Sequence, residues 1–280
     1  MALIQCNFFS KALMRTVPIQ VVLPTDKMVF PGQPQPEEKP FKTLYLLHGI
    51  FGNYTDWVCG TRIQAWAQDR NLAVVMPSGE NKFYVDNPVS NEMYGTFIGK
   101  ELVDFTRRSF PLSRNREDTY IGGLSMGGFG ALRNGLCYAD TFGGIAALSG
   151  ALHMFEFAPG DPRREMLVRE DACMGDWQQA SASDKNPAVA LRELSLRVKA
   201  GEAEFPRIYM ACGTEDGLLG ANRSFRDKLL AAGAPLTYRE GPGAHDWAFW
   251  DAQLPQVLDW LPLESAAAGL NSGNVRPEKK

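Results

Sequence analysis

Histidine is scarce in this sequence, with three residues, His48, His153 and His245. Any chemistry that needs an imidazole base therefore has three candidates. The five cysteines (Cys6, Cys59, Cys137, Cys173 and Cys212) are odd in number and widely scattered. No Cys-x-x-Cys pair or Cys/His cluster stands at metal-ligand spacing, so neither a disulfide framework nor a metal site is expected. Free thiols in a reducing cytoplasm fit this pattern, and no cysteine sits in a motif that would activate it as a nucleophile. Charge of one sign is lacking too. The 29 basic and 32 acidic residues leave a net charge of -3, and no basic block could neutralise a run of phosphates, which argues against a nucleic-acid partner. No apolar run is long enough to span a bilayer. The opening MALIQCNFFSKALMR has no charged leader before its apolar residues, and Lys11 and Arg15 interrupt them too early for a signal-peptide core, so neither export nor a membrane is expected.

What is present is an ordinary globular balance, 45% hydrophobic against 22% charged residues, enough to cover both faces of a buried sheet. Two extended segments, 3–9 and 13–23, open the chain as an antiparallel pair. Pro18 in the second suits an edge strand. A loop marked by Pro24, Pro31, Pro34, Pro36 and Pro40 follows. Apolar strands then alternate with amphipathic stretches: strands at 43–49, 72–77, 118–123, 144–150, 207–213 and 236–240, and helices near 61–70, 98–109, 126–137, 187–200, 221–232 and 247–261. Strand and helix repeating at this spacing predict an α/β fold with a mostly parallel central sheet and helices on both faces. Residues 151–186 interrupt the alternation with aromatics, Pro, Gly and charge, and are expected to form a cap-like insertion over the active-site end of the sheet. One domain is expected over 1–263, followed by a frayed tail over 264–280.

The strongest chemical signal is Gly123-Leu124-Ser125-Met126-Gly127, which follows a buried strand and opens a helix. That context is the one a nucleophile elbow requires: small residues flank a serine held in a sharp strand-to-helix turn. A serine hydroxyl is nearly inert at neutral pH and needs a base. His48 ends a strand and His153 lies in the insertion, whereas His245 lies in a glycine-rich loop after the last strand, where the order nucleophile, acid, histidine requires it. His48 is expected to brace its loop. The acid should follow the strand between Ser125 and His245, where Glu215 and Asp216 compete. Asp216 is preferred because it stands one residue further past the strand beside Gly217, leaving Glu215 as a solvated loop charge. Asp246 is disfavoured because a neighbouring side chain cannot readily turn back onto the imidazole. The backbone N–H of Met126 and that of Ile50, with Phe51 as the neighbouring alternative, are the expected oxyanion donors. Trp57 is expected to fill core beneath that loop.

With GLSMGGFGALR around Ser125, LYLLHGIFGNYTDW at 44–57, CGTEDGLL at 212–219 and GAHDWAFW at 243–250, the chain resembles the esterase D family of α/β-hydrolases. That family includes S-formylglutathione hydrolases, tributyrin esterases and cinnamoyl or feruloyl esterases. The resemblance runs from the opening IQCNFFS to about Leu263. It implies an α/β-hydrolase fold, a triad at Ser125, Asp216 and His245, oxyanion amides at Ile50 and Met126, and hydrolysis of a small-molecule ester with no metal or organic cofactor. It also implies a homo-oligomer as one possible assembly. The opening IQCNFFSKAL is closest to the tributyrin and cinnamoyl branch, so short acyl or aryl esters are the expected substrates, with the formylglutathione thioester as alternative. Phe155, Phe157 and Trp177 fall where such esterases place a cap, and Trp177 is the candidate substrate wall. Two other readings stand beside hydrolysis. One is acyl transfer to an alcohol when water is excluded, as in the exported mycolyltransferases that share this fold. The other is a hydrolase scaffold without activity that serves as a binding module.

Overall fold

The computed structural model describes residues 1–27, 31, 39–158, 160–162 and 173–263. The expected tail over 264–280, residue 159 and the 163–172 stretch of the insertion lie outside the described residues.

Eight strands form one sheet: β1 (Ala2–Ser10), β2 (Arg15–Leu23), β3 (Lys42–Leu47), β4 (Leu72–Pro77), β5 (Thr119–Leu124), β6 (Gly144–Leu148), β7 (Arg207–Gly213) and β8 (Leu236–Gly241), in the order β1-β2-β4-β3-β5-β6-β7-β8. From β4 through β3 to β8 all neighbours are parallel, and β2 is antiparallel to both β1 and β4. The strands β3 to β6 are buried over almost every residue, which is why they read as unbroken apolar runs and not as alternating ones. Pro18 corrects one expectation. Its strand is second in the sheet and β1 is the edge, but β2 pairs with β4 only over Ile19–Val22, so Pro18 lies before that ladder begins and breaks none of it.

Two apolar layers flank the sheet. One gathers Phe97, Leu102, Phe129, Leu132, Leu194, Phe225 and Leu229 from four of the helices described below. The other gathers Trp57, Ile63, Trp250, Leu254 and Leu258 from three. The helices are α1 (Asp56–Gly60), α2 (Ile63–Asp69), α3 (Leu102–Ser109, entered through a π turn at Phe97–Glu101), α4 (Met126–Cys137), α5 (Trp177–Ala182), α6 (Pro187–Lys199), α7 (Leu219–Ala231) and α8 (Trp247–Trp260). Asn186 starts α6 by accepting from the Ala188 amide, with Pro187 at the first helical position, where its missing N–H costs nothing. Helix α4 is buried over eleven of its twelve residues because it lies against β5 and β6 in the middle of the sheet. Its glycines permit that approach: a Cβ at Gly128 would stand 3.0 Å from the Gly150 Cα.

Candidate active site

Strand β5 ends at Leu124, and the chain turns so sharply into α4 that Ser125 takes φ 52°, ψ -115°. For a residue with a Cβ this conformation costs about 1–3 kcal/mol and persists only when its surroundings over-determine it. Here they do. The Ser125 amide donates to the Leu148 carbonyl of β6 at 2.9 Å, and its carbonyl accepts from the Phe129 and Ala151 amides, both at 3.0 Å. Both flanking glycines are sterically required. A Cβ on Gly123 would come within 2.5 Å of the Gly127 carbonyl, and one on Gly127 within 2.3 Å of the Leu47 carbonyl oxygen.

Facing the hydroxyl is His245, from the loop between β8 and α8. Its Nε2 lies 2.9 Å from Ser125 Oγ and its Nδ1 2.9 Å from Asp216 Oδ2. A carboxylate can only accept, so Nδ1 carries the ring proton and Nε2 presents a lone pair to the serine hydroxyl. Asp216 follows β7 and is almost wholly buried. Burial pushes its carboxyl up, but hydrogen bonds from His245, the Leu218 amide and Ser149 outweigh that and hold it below its ordinary value. Asp246 points elsewhere: its Oδ1 accepts the Phe249 amide at 3.0 Å and caps α8.

Glu215 differs from the expectation of a solvated loop charge. It is exposed, but its carboxylate accepts the Gly243 amide at 2.5 Å and the Thr214 hydroxyl at 2.6 Å, which hold it below its ordinary range. The Thr214 and Glu215 amides donate to the Gly241 and Gly243 carbonyls. The loops bearing Asp216 and His245 are thus stapled side by side. A Cβ on Gly213 would meet the Gly243 oxygen at 2.0 Å, so this approach is open only to glycine.

The loop after β3 supplies the opposite wall. His48 is buried beneath it, with Nδ1 2.6 Å from the Gly49 carbonyl and Nε2 accepting the Gly79 amide at 2.8 Å. Burial lowers its pKa, so the ring stays neutral and braces the loop from both sides. Trp57 is buried and donates its indole N–H to the Leu47 carbonyl at 3.0 Å, a core role. The Phe51 amide donates to Asn81 Oδ1 at 2.8 Å and is therefore engaged, which leaves Ile50 as the loop amide able to serve a ligand. Across from it, the Met126 amide opens α4 and has no acceptor within its own helix.

Between these walls lies a cavity of about 300 Å³, lined by Ser125, His245 and Asp216 together with Ile50, Phe83, Met126, Ala151, Met154 and Leu218. His153 also reaches it, its ring edge-on to Phe157 at 4.7 Å. Trp177, the expected substrate wall, does not line it. As the first residue of α5 it lays its ring on Phe155 at 5.2 Å, and Phe155 in turn faces Phe129 of α4. Among the described residues no helix is long and apolar enough to cross a membrane, and no cluster of His, Cys, Asp and Glu could hold a metal ion. What the arrangement can do is transfer a proton from Ser125 to His245 in a cavity that Ile50 and Met126 also line, as acyl transfer through a serine requires.

The Esterase family model matches residues 10–261. The chain belongs to the esterase family. It is 42% identical over 265 residues to an acetyl esterase of Caldicellulosiruptor saccharolyticus, covering 93% of this chain and 98% of that one. Two solved structures from Staphylococcus aureus superpose over 93% of this chain and 98% of their own. One is the fluorophosphonate-binding serine hydrolase F, with a TM-score of 0.78 at 29% identity, and the other an S-formylglutathione hydrolase, with 0.77 at 28%. The fold is accordingly that of the α/β-hydrolases, and this esterase is a serine-type carboxylic ester hydrolase.

Proposed function

We propose that this esterase cleaves short-chain acyl esters through an acyl-enzyme on Ser125, with His245 as general base, Asp216 as its orienting acid, and the Ile50 and Met126 amides as oxyanion donors. His245 takes the hydroxyl proton as Oγ attacks the ester carbonyl, and the two amides stabilise the tetrahedral oxyanion, each by about 3 kcal/mol. The imidazolium returns the proton to the leaving alcohol. Water, deprotonated by the same ring, then releases the acid and frees the serine. The observation that carries this reading is the pair of 2.9 Å contacts linking Ser125, His245 and Asp216 at the mouth of an apolar cavity of about 300 Å³. A cavity of that size is at the small end for ligand sites and suits a short acyl chain. The acetyl esterase relative supports the same acyl size.

The likeness to the S. aureus S-formylglutathione hydrolase favours a second reading, a thioesterase acting on the one-carbon acyl group. A panel of acetyl, butyryl, octanoyl and feruloyl esters with S-formylglutathione separates the two. Highest kcat/KM on acetyl and butyryl esters, abolished in Ser125→Ala, is the expected result. Preference for S-formylglutathione or feruloyl esters would reassign the substrate, and turnover that survives Ser125→Ala would overturn the mechanism. Added alcohol measures how far acyl transfer competes with water. All five thiols are free, which supports a cytoplasmic setting. We further read residues 1–263 as one domain with 151–186 as its cap, and a homo-oligomer as an assembly for light scattering to test.

A further inference from the structure

Strand β6 stops at Leu148, two residues short of the expected 144–150, where Ser149 turns into the left-handed region at φ 49°. Such a conformation is unfavourable for a residue with a Cβ. Ser149 is fully buried, and its amide is anchored to the Ala211 carbonyl of β7 at 2.8 Å. Its hydroxyl oxygen accepts the Trp250 indole N–H at 3.1 Å, and the hydroxyl stands beside the Asp216 carboxylate and the Cys212 thiol, helping to hold that carboxyl below its ordinary value. An indole N–H can only donate and a carboxylate can only accept, so Ser149 Oγ accepts from Trp250, and any bond its hydroxyl makes to Asp216 is one it donates. The same indole stands edge-to-face on His245, ring centres 5.0 Å apart at 89°. Trp250 therefore touches both partners of the acid–base pair, the carboxylate through Ser149 and the imidazole directly.

A second set of contacts fixes the indole itself. Trp247 packs edge-on against it at 5.4 Å, and Trp57 packs edge-on against Trp247 at 5.5 Å. Trp57 is the ring that holds the Leu47 carbonyl at the root of the Ile50 loop. Three indoles thus form a continuous column from the oxyanion wall to the base. Gly60 makes room for it, since a Cβ there would lie 2.5 Å from the Trp247 ring. The other ionisable group beside Ser149 and Asp216 is Cys212, whose thiol is pushed up to about 12 by burial and by the Asp216 charge and so stays neutral.

We propose that Trp250 is a positioning residue for the proposed acid–base pair, orienting Asp216 through the Ser149 hydroxyl and His245 through its ring edge. The inference rests on the assignment of His245 and Asp216 made above. Trp250→Phe keeps an aromatic ring against His245 and deletes the N–H, while Ser149→Gly deletes the hydroxyl and relieves the left-handed backbone. With one donor fewer, the carboxylate binds the imidazolium more tightly, so the acid limb of the kcat/KM profile moves to higher pH. We expect each variant to lower kcat about tenfold on p-nitrophenyl acetate with KM within about twofold, and the double variant to be no worse than Ser149→Gly alone, because both changes cut one chain. A purely structural tryptophan would lower thermal stability without moving the acid limb, and its effect would add to that of Ser149→Gly.

The low-field proton resonance of His245 Nδ1–H reads the pair directly and needs no turnover. It should shift in both variants. An unmoved resonance and acid limb in folded Trp250→Phe, or additive effects in the double variant, overturn the inference. If the wild type shows no Ser125-dependent turnover, the catalytic reading fails instead, and the resonance still decides whether Trp250 and Ser149 act on the Asp216–His245 contact.

Discussion

Gly127→Ala tests the elbow at its tightest point. The added methyl carbon would lie 2.3 Å from the Leu47 carbonyl oxygen and 2.7 Å from that of His48, where Cβ contacts under 3.0 Å are essentially never tolerated. Both obstacles are main chain, so no side chain can rotate away. Helix α4 and the end of β3 must instead separate by about 0.7 Å, taking the Met126 amide away from the Ile50 amide and straining the Trp57 bond to Leu47. Overpacking of this kind costs about 1–3 kcal/mol, or about 2–5 °C in Tm for a chain of this size. Activity should suffer more. Misplacing one oxyanion donor by nearly an ångström costs about 100-fold in kcat. The assay is kcat and KM on p-nitrophenyl acetate beside a thermal melt. Gly220→Ala serves as control, because a Cβ there meets nothing within 4 Å and gains helix propensity in the first turn of α7. If Gly127→Ala retained kcat within threefold at an unchanged Tm, the steric account of the elbow would be refuted.

Three further outcomes follow from other contacts. Asp216 has a folded-state pKa below its unfolded value, so the stability it contributes is complete above about pH 4 and is lost as pH falls through the folded pKa. Melts between pH 5 and 3 should therefore fall more steeply for wild type than for Asp216→Asn, and parallel curves would remove this role. Asn81→Ala frees the Phe51 amide and unpins the Ile50 loop, which should lower kcat about tenfold with KM little changed; steady-state kinetics at wild-type levels would contradict it. Arg133 is buried in α4 and bonds both the carboxylate and the carbonyl of Asp184 on the way into α6. Asp184→Ala leaves a buried guanidinium short of its counter-charge and should cost about 2 kcal/mol, with Arg133→Met costing less because Asp184 is half exposed and can hydrate. Urea melts showing the reverse order would refute the argument.

Elements whose burial is uniform were legible from residue type alone. Strand β4 at Leu72–Pro77, β7 at Arg207–Gly213 and helix α4 at Met126–Cys137 fall on their expected bounds, since apolar runs ending in Pro or Gly declare themselves locally. That Ser125, Asp216 and His245 would meet was legible because each stands just past a strand in a fixed order. Long-range contacts were not. Nothing in the SGEN stretch announces that Asn81 will capture the Phe51 amide, nor does a glutamate beside Asp216 announce a bond to Gly243, because those partners are brought together only by the sheet order. Trp177 shows the same limit: an aromatic in an insertion can face either way, and here its ring packs against Phe155. The short helices α1 and α5, at five and six residues, are too brief to carry a periodic signal.

The Glu215 staple has a consequence for how such a protein evolves. Asp216 and His245 ride on two loops bonded to each other, while the nucleophile and its facing amides ride on β5, α4 and the loop after β3, and the two groups meet at the Ser125–His245 contact. One substitution at that contact can silence the chemistry while both backbones stay intact around an apolar hollow.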